Sequence, residues 1–326
     1  MIGAHQSEQR WRGRLLVAAR WLAAIAVLGI LLHFLPLHLL NEAIHHVPIT
    51  RFLLVLIGYL LAHVLGVVKW RMVVNAAGAR LDYATSAQCY TGGLFAMLFL
   101  PSIIGGDVVR LAVGLRRSPN PAAVLAGNVA DRFLDMSAQA GLVLLGILLL
   151  PGSVPVGLRN QARHAVYLIV GIATVAIALL VLLYRPLLRG RSVRFRRWLA
   201  RLRFALRSVS RRPRILFFGW ILATTIQMTF LTLTARIAVY CGLLLPLRDW
   251  LFAWPLAKLA ALLPLTQGGI GIREAALVGL LSPFGAAPHL VLASGLVWDG
   301  VVILGGLGAG IVAFLLGRRR VAPQIL

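Results

Sequence analysis

Acidic residues are scarce in this chain of 326 residues, where nine aspartates and glutamates stand against 33 lysines and arginines. Lysine is scarcer still: Lys69 and Lys258 are the only two, so nearly every cation is an arginine. So few carboxylates, spread along the whole chain, exclude a compact acidic metal cluster. The arginines fall between apolar runs, so we predict no nucleic-acid binding and assign the charge to membrane orientation and anionic lipid headgroups.

Cysteine is equally rare, with Cys89 and Cys241 both inside apolar stretches. Two such residues exclude a disulfide framework and the spacing of a zinc site, so we predict structural thiols, no metal and no cofactor. The ten-residue alternating segments of a membrane barrel are also missing. The basic start at residues 10–14 runs into an apolar segment that is too long for a signal peptide.

Long apolar runs are what the chain has in abundance. It is 60% hydrophobic with a mean hydropathy of +0.88, and a run of about 18 apolar residues predicts a transmembrane helix. We predict an all-α polytopic membrane protein of about six transmembrane helices. Arginine clusters predict cytoplasmic N- and C-termini. We expect the protein to lie in a bacterial inner membrane. The predicted spans are residues 15–35, 52–68, 121–150, 165–184, 215–245 and 289–316.

Two further apolar regions are each interrupted by the pattern Pro-x-x-x-Gly-Gly-x-x-x-Arg, at Pro101–Arg110 and at Pro264–Arg273. The apolar arms beside each break are too short to cross a core of about 30 Å as helices. We therefore predict two re-entrant helical hairpins, at residues 84–113 and 250–285. The flanking arginines predict that the first hairpin enters from the cytoplasm and the second from outside.

These hairpins divide one transmembrane domain, residues 1–326, into two halves of opposite sense. Residues 52–150 and 215–316 both read span, hairpin, span, which predicts an inverted-topology repeat. Asp135 and Asp299 follow the prolines of their hairpins by 34 and 35 residues, inside the next span. Inverted repeats with broken helices are typical of transporters whose site lies at the membrane midplane.

The hairpin breaks also predict the site. A helix that starts at such a break exposes backbone N–H groups that attract anions, and glycines let a phosphate approach. The predicted substrate-binding residues are Arg110, Arg273, Gly105, Gly106, Gly268 and Gly269. The predicted coupling or gating residues are Asp107, Asp131, Asp135, Glu274 and Asp299.

Structural explanations stay open beside this prediction. The glycines also fit close helix packing, and the arginines also fit buried ion pairs with Asp107 and Glu274. Asp131 with Arg132 fits a structural pair near the inner membrane edge. Which arrangement holds decides whether the hairpin arginines face a substrate.

The segment Arg185–Arg214 has 12 arginines and no acid. Apolar residues within it follow helical spacing, which predicts a cationic amphipathic helix in the inner headgroup region. We expect it to contact anionic lipid headgroups; direct recruitment of a substrate lipid is the alternative.

At these motifs the chain resembles the lysylphosphatidylglycerol synthase transmembrane, or flippase-like, family. The matching residues are Gly105-Gly106-Asp107 with Arg110, then Asp131-Arg132 with Asp135, then Gly268-Gly269 with Gly271, Arg273 and Glu274. The resemblance covers roughly residues 15–316 and implies lipid translocation. Relatives include multiple peptide resistance factors, which move an aminoacylated phospholipid, and proteins linked to hopanoid and polyprenyl-linked lipids. The aminoacyl-transferase domain of those factors has no counterpart in this sequence, so synthase activity is not implied.

The predicted function is a lipid transporter, or flippase, that moves a polar- or phosphate-headed lipid between leaflets of the inner membrane, and not an enzyme. The resemblance implies an aminoacyl-phospholipid, a hopanoid or a polyprenyl-linked lipid as the substrate. The alternatives are a membrane-embedded enzyme acting on a lipid phosphate or glycolipid, and a scaffold for lipid-synthesis enzymes. Homo-oligomerisation stays open.

Overall fold

The computed structural model describes residues 37–100, 102–149, 160, 193–261, 266 and 269–318, which include ten α-helices. Two predicted spans, 15–35 and 165–184, and the predicted site residue Gly268 lie outside the described residues. A short 3₁₀ turn covers Ser282–Phe284. The helices are α1 Leu37–His45, α2 Ile49–Ala76, α3 Tyr83–Met97, α4 Ser102–Arg117, α5 Pro121–Leu149, α6 Val193–Ser210, α7 Pro213–Tyr240, α8 Leu247–Ala260, α9 Ile272–Leu281 and α10 Pro288–Arg318.

Four of these helices, α2, α5, α7 and α10, are long and apolar enough to cross a membrane, with 28 to 31 residues each. Large apolar side chains remain exposed on their outer faces, including Leu54 and Leu61 on α2. Continuous apolar surface of this kind is what lipid covers in a membrane protein. The prediction of a helical, multi-pass membrane protein is therefore confirmed.

Helix α2 extends beyond its predicted end at Val68. It runs through Lys69 to Ala76, and the chain turns at Gly78, whose φ of 100° suits glycine. The helix continues past Lys69 because carboxylates of α5 neutralise that charge. The predicted end at Val68 depends on Lys69 lying outside the span, whereas the structure places Lys69 inside the helix.

Helices α3 and α4 form an antiparallel hairpin around the first break. Their backbones meet at Gly93 and Gly106, where a Cβ atom on Gly106 would lie 2.5 Å from the Gly93 carbonyl oxygen. Helices α8 and α9 pack together around the second break. These four helices have 15, 16, 14 and 10 residues, fewer than the roughly 20 that span a membrane.

Each hairpin packs against a long helix from the other half of the chain. Helix α3 lies along α10, where Gly310 accommodates the ring of Phe95, and α8 lies along α5, where Gly146 meets the backbone of Phe252. Helix α2 packs against α7. The hairpins thereby bring their charged residues to the middle of the helix bundle.

Helix α6 matches the amphipathic segment predicted within Arg185–Arg214, but protein covers part of its apolar face. Ala205 and Val209 are buried against the ends of α2 and α5, and the Ser208 hydroxyl donates to the Ala76 carbonyl at 3.1 Å. Phe204, on another face, is 75% exposed. The helix is therefore docked on the bundle, and Phe204 remains exposed for contact with lipid.

Candidate functional site

Lys69 is the centre of a cluster of ion pairs between α2 and α5. Its ammonium lies 2.9 Å from Asp131 and 2.5 Å from Asp135, and its side chain is almost fully buried. Asp131 and Asp135 are one helical turn apart, and their shared contact confirms that they lie on one face of α5. Asp135 is midway along α5, about 21 Å from either end by helical rise.

Arg110 of the first hairpin joins the same cluster from α4. Its guanidinium lies 3.1 Å from Asp107 and 3.3 Å from Asp131, and it donates to the Asn128 amide oxygen at 3.1 Å. The Trp70 indole N–H donates to that same oxygen at 3.1 Å. Arg110 is therefore buried and held by protein groups on two helices.

Arg132 closes the cluster on its accessible side. Its guanidinium lies 2.8 Å from Asp107 and 3.8 Å from Asp135. A structural pair of Arg132 with Asp131 was one sequence interpretation, and the structure does not contain it. Adjacent residues point about 100° apart on a helix, so Asp131 reaches Lys69 and Arg110, whereas Arg132 reaches Asp107.

Accessibility divides this first cluster, defined as Lys69, Asp107, Arg110, Asp131, Arg132 and Asp135, into two layers. The Asp131 side chain is 0% exposed, and those of Lys69 and Arg110 are almost as deeply buried. The side chain of Arg132 is 38% exposed and that of Asp135 is 18% exposed. The inner layer joins helices, and the outer layer is open to a ligand or to water.

A second cluster, Arg273, Glu274 and Asp299, joins α9 to α10. The Arg273 guanidinium lies 2.6 Å from Glu274 and 2.5 Å from Asp299. Glu274 is fully buried, whereas the side chain of Arg273 is 14% exposed. Both hairpins therefore contribute an arginine that binds one acid of its own hairpin and one acid of the following long helix.

The start of α9 already binds an anionic group of the protein. The Gly271 N–H donates to the Glu274 carboxylate at 2.7 Å, and Gly271 has a φ of 85°. A glutamate at this position commonly caps a helix in this way. At this break the positive helix end therefore holds Glu274 in the structure.

The hairpin glycines lie in close packing contacts. Gly105 faces Leu100, and Gly106 faces the Gly93 carbonyl. Gly269 has a φ of 78°, and a Cβ there would lie 2.7 Å from the Ala261 Cβ. Helix packing and turn geometry account for these three glycines, and their contact with a substrate stays a prediction.

The packing of Gly106 gives a testable stability effect. Gly106→Ala should lower the free energy of unfolding by about 1–3 kcal/mol, because the new methyl group overlaps the Gly93 carbonyl. Gly308→Ala is the matched control: nothing lies within 4 Å of its Cβ position, and alanine favours a helix by roughly 0.5–1 kcal/mol. Thermal unfolding in detergent without added lipid measures both; equal midpoints would contradict the close contact.

Sequence reasoning missed Lys69, Arg132 and Asn128 as members of the site. The signal for Lys69 was the Asn75–Gly78 segment, which carries a typical helix stop and places the lysine inside the helix. The signal for Arg132 was its position three residues before Asp135, which places the two side chains on one helix face. Asn128, a polar residue one turn before Asp131–Arg132, was not weighed.

Within the described ranges, no group of three or more histidine, cysteine, aspartate or glutamate side chains is arranged to hold a metal ion. The carboxylates of both clusters instead contact lysine and arginine. The site can therefore exchange ion-pair partners, which is chemistry suited to a charged headgroup.

A comparison with curated protein sequences returned no match. The profile of the Lysylphosphatidylglycerol synthase TM region matches residues 16–310, which include both hairpins and both clusters. This match covers most of the 326 residues and agrees with the resemblance carried by the hairpin motifs. The chain therefore belongs to the family of the lysylphosphatidylglycerol synthase transmembrane region.

Proposed function

We propose that this protein moves a polar- or phosphate-headed lipid between the leaflets of the bacterial inner membrane. The observation that carries the proposal is the pair of ion-pair clusters inside the bundle, with Arg132, Asp135 and Arg273 partly accessible. Ionisable groups at such depth are costly and usually mark a pathway for a substrate or proton. The family supports lipid handling.

The packing of the hairpins supports an inverted repeat within one domain. If residues 52–150 correspond to 215–316, then α2, α3 and α5 correspond to α7, α8 and α10. The contact of α3 with α10 then has its counterpart in the contact of α8 with α5, and the contact of α2 with α7 is its own counterpart. A two-fold axis between the repeats produces this exchange, as in transporters built from re-entrant, inverted halves.

In this mechanism the lipid enters from the side, and its acyl chains stay in the bilayer. The headgroup occupies the space between the hairpins, where Arg110 and Arg273 are the proposed substrate cations. Arg273 is partly accessible, and the buried Arg110 becomes available when its ion pairs exchange partners. Rocking of the halves opens the site to each leaflet in turn. Lys69, Asp131 and Glu274 are buried in ion pairs and hold the helices together.

In this mechanism, exchange of ion-pair partners starts the rocking of the two halves. Asp107 contacts both Arg110 and Arg132, so it connects the buried layer with the accessible layer. When a headgroup binds an arginine, the released carboxylate takes a proton or another cation. Asp107, Asp135 and Asp299 are the proposed coupling residues, because each is partly accessible and contacts an arginine.

Anionic lipids are the proposed second partner, at the junction of α6 with α7. A cavity of about 270 Å³ is lined there by Phe204, Ser208 and three arginines. The guanidinium groups of Arg207, Arg211 and Arg212 make no ion pair with any carboxylate in the described part of the chain. In the proposed orientation they meet the negatively charged inner leaflet.

The triple variant Arg207→Gln, Arg211→Gln, Arg212→Gln should retain several-fold less phosphatidylglycerol after purification. Each arginine near a membrane surface contributes about 1 kcal/mol of attraction to anionic lipid. Native mass spectrometry counts the bound lipid. The control is Arg236→Gln with Arg248→Gln, which removes exposed arginines of α7 and α8; equal loss in both proteins would reject this site.

The experiment that tests the main proposal is leaflet transfer by purified protein in vesicles. Tail-labelled lipids from a bacterial inner-membrane extract, including phosphatidylglycerol, are placed in the inner leaflet, and quenching from outside measures their appearance in the outer leaflet. Transfer above that of protein-free vesicles is expected for at least one polar lipid. No transfer of any of them, or chemical conversion of the lipid by the protein, would reject transport.

A further inference from the structure

Lys258 is a partly buried cation that belongs to neither cluster. It lies on α8, and its ammonium donates to the Gln227 amide oxygen at 2.8 Å. Gln227 is buried at the middle of α7, about 20 Å from either end of that helix by helical rise. The Lys258 ammonium therefore lies at mid-depth in a spanning helix bundle.

The surroundings of Lys258 differ from those of the cluster cations. Lys69, Arg110, Arg132 and Arg273 each lie within hydrogen-bonding or salt-bridge distance of a carboxylate, whereas Lys258 has no such partner among the described residues. Its contacts are one neutral amide and the ring faces of Trp254 and Phe230, at 4.9 and 5.5 Å. An ammonium has three donors, so this site leaves capacity for an anion.

The charges nearest to Lys258 belong to the two clusters. They include the Asp135 carboxylate and three cations, Arg132, Arg273 and Lys69. Asp135 is itself bound by Lys69 and Arg132. Lys258 therefore lies between the two clusters, and the carboxylates of both clusters contact other cations.

We infer that Lys258 binds the phosphate group of the transported lipid, and that Gln227 positions its ammonium. This assignment rests on the proposed transport function and names the chemical class of its substrate. A lysine ammonium is a compact point charge that binds phosphate oxygens strongly where water is scarce. Trp254 and Phe230 fix the side chain without consuming its charge, because a cation–π contact leaves the N–H donors free.

Binding of short-chain lipids to full-length protein in detergent tests this assignment. Calorimetry compares dihexanoyl phosphatidylglycerol, a dihexanoylglycerol glucoside without phosphate, and inorganic phosphate. Wild-type protein should bind the phosphatidylglycerol more tightly than either of the others. Lys258→Gln should weaken that binding by about tenfold or more, since one charge-assisted contact is lost. Lys258→Arg should retain most of the affinity.

Two controls separate binding from folding. Arg236→Gln, an exposed position on α7, makes the same change in net charge and should leave the affinity unchanged. Without lipid, Lys258→Gln should unfold at the same or a higher temperature than wild type, because it removes a charge that lacks a carboxylate. A lower unfolding temperature together with unchanged lipid affinity would assign Lys258 a structural role and overturn the inference.

Other outcomes also overturn the assignment. These are equal wild-type affinity for the glucoside, absence of phosphatidylglycerol binding, or inorganic phosphate binding as tightly as the lipid. Leaflet transfer is measured on the same preparations. If the protein transfers lipid but Lys258→Gln does not change binding, the transport function stands and the phosphate site is rejected. If phosphatidylglycerol binding depends on Lys258 but no lipid is transferred, the phosphate site stands and the transport function is rejected.

Discussion

Lys69→Met should lower the free energy of unfolding by about 3–5 kcal/mol, the usual cost of removing one member of a buried ion pair. The loss is large because one ammonium contacts both Asp131 and Asp135, and the Asp131 side chain is fully buried. Arg110 alone then remains beside Asp131, at 3.3 Å. The midpoint of thermal unfolding in detergent should fall by on the order of 10 °C.

Double substitution separates the charge from the volume of Lys69. Lys69→Met with Asp131→Asn removes both charges of one pair, so it should recover part of the stability lost in the single variant. Lys69→Arg keeps the charge and should lose less stability than Lys69→Met. A double variant that is less stable than Lys69→Met by the full effect of Asp131→Asn would show that the two residues are not coupled.

Two spanning helices, α5 and α10, were predictable from the sequence because their signals are strong and local. Apolar length fixed α5 as 121–150 against the observed Pro121–Leu149, and α10 as 289–316 against Pro288–Arg318. Those boundaries are set by proline at the start and by charge or glycine at the end. The hairpin arms were also predicted, although α4 continues to Arg117, four residues beyond the expected end.

The partners of the charged residues were only partly predictable. Asp107 and Arg110 have i, i+3 helical spacing, which indicated the first pair. Glu274 directly follows Arg273, and this proximity in sequence alone indicated the second pair. The predicted span 52–68 ends directly before Lys69, because a cation at the end of an apolar run normally lies at the membrane interface. The true position of Lys69 depends on α5 packing against α2, and a single sequence carries no direct signal of that contact.

The glycine pairs show why the same residues fit two explanations. Close packing of α3 on α4 needs a residue without a side chain at position 106, and so does close approach of a phosphate. Both requirements select glycine, so the sequence alone does not distinguish them. The structure reveals the neighbour, the Gly93 carbonyl, whereas the role in substrate binding depends on a state with lipid bound.

Arg273→Gln should reduce leaflet transfer by about 100-fold or more. In the proposed mechanism this guanidinium makes two charge-assisted contacts with the lipid headgroup, each worth about 1.5–3 kcal/mol. Each 1.4 kcal/mol lost changes the transfer by about a factor of ten. The variant leaves Glu274 and Asp299 without the cation that both contact at 2.5–2.6 Å. The matched control is Arg248→Gln on α8. The Arg248 side chain is 50% exposed, so this substitution should leave transfer unchanged.

A second variant decides whether Arg273 acts on the lipid or only on its neighbours. Asp299→Asn added to Arg273→Gln removes one of the two carboxylates left without a cation, so a purely structural arginine predicts partial recovery of transfer. An arginine that contacts the headgroup predicts none, because the substrate still lacks its cation. Arg273→Lys keeps the charge but not the fork that bridges two acids, and it should retain intermediate transfer. Recovery in the double variant would assign headgroup binding to Lys258 and the first cluster instead.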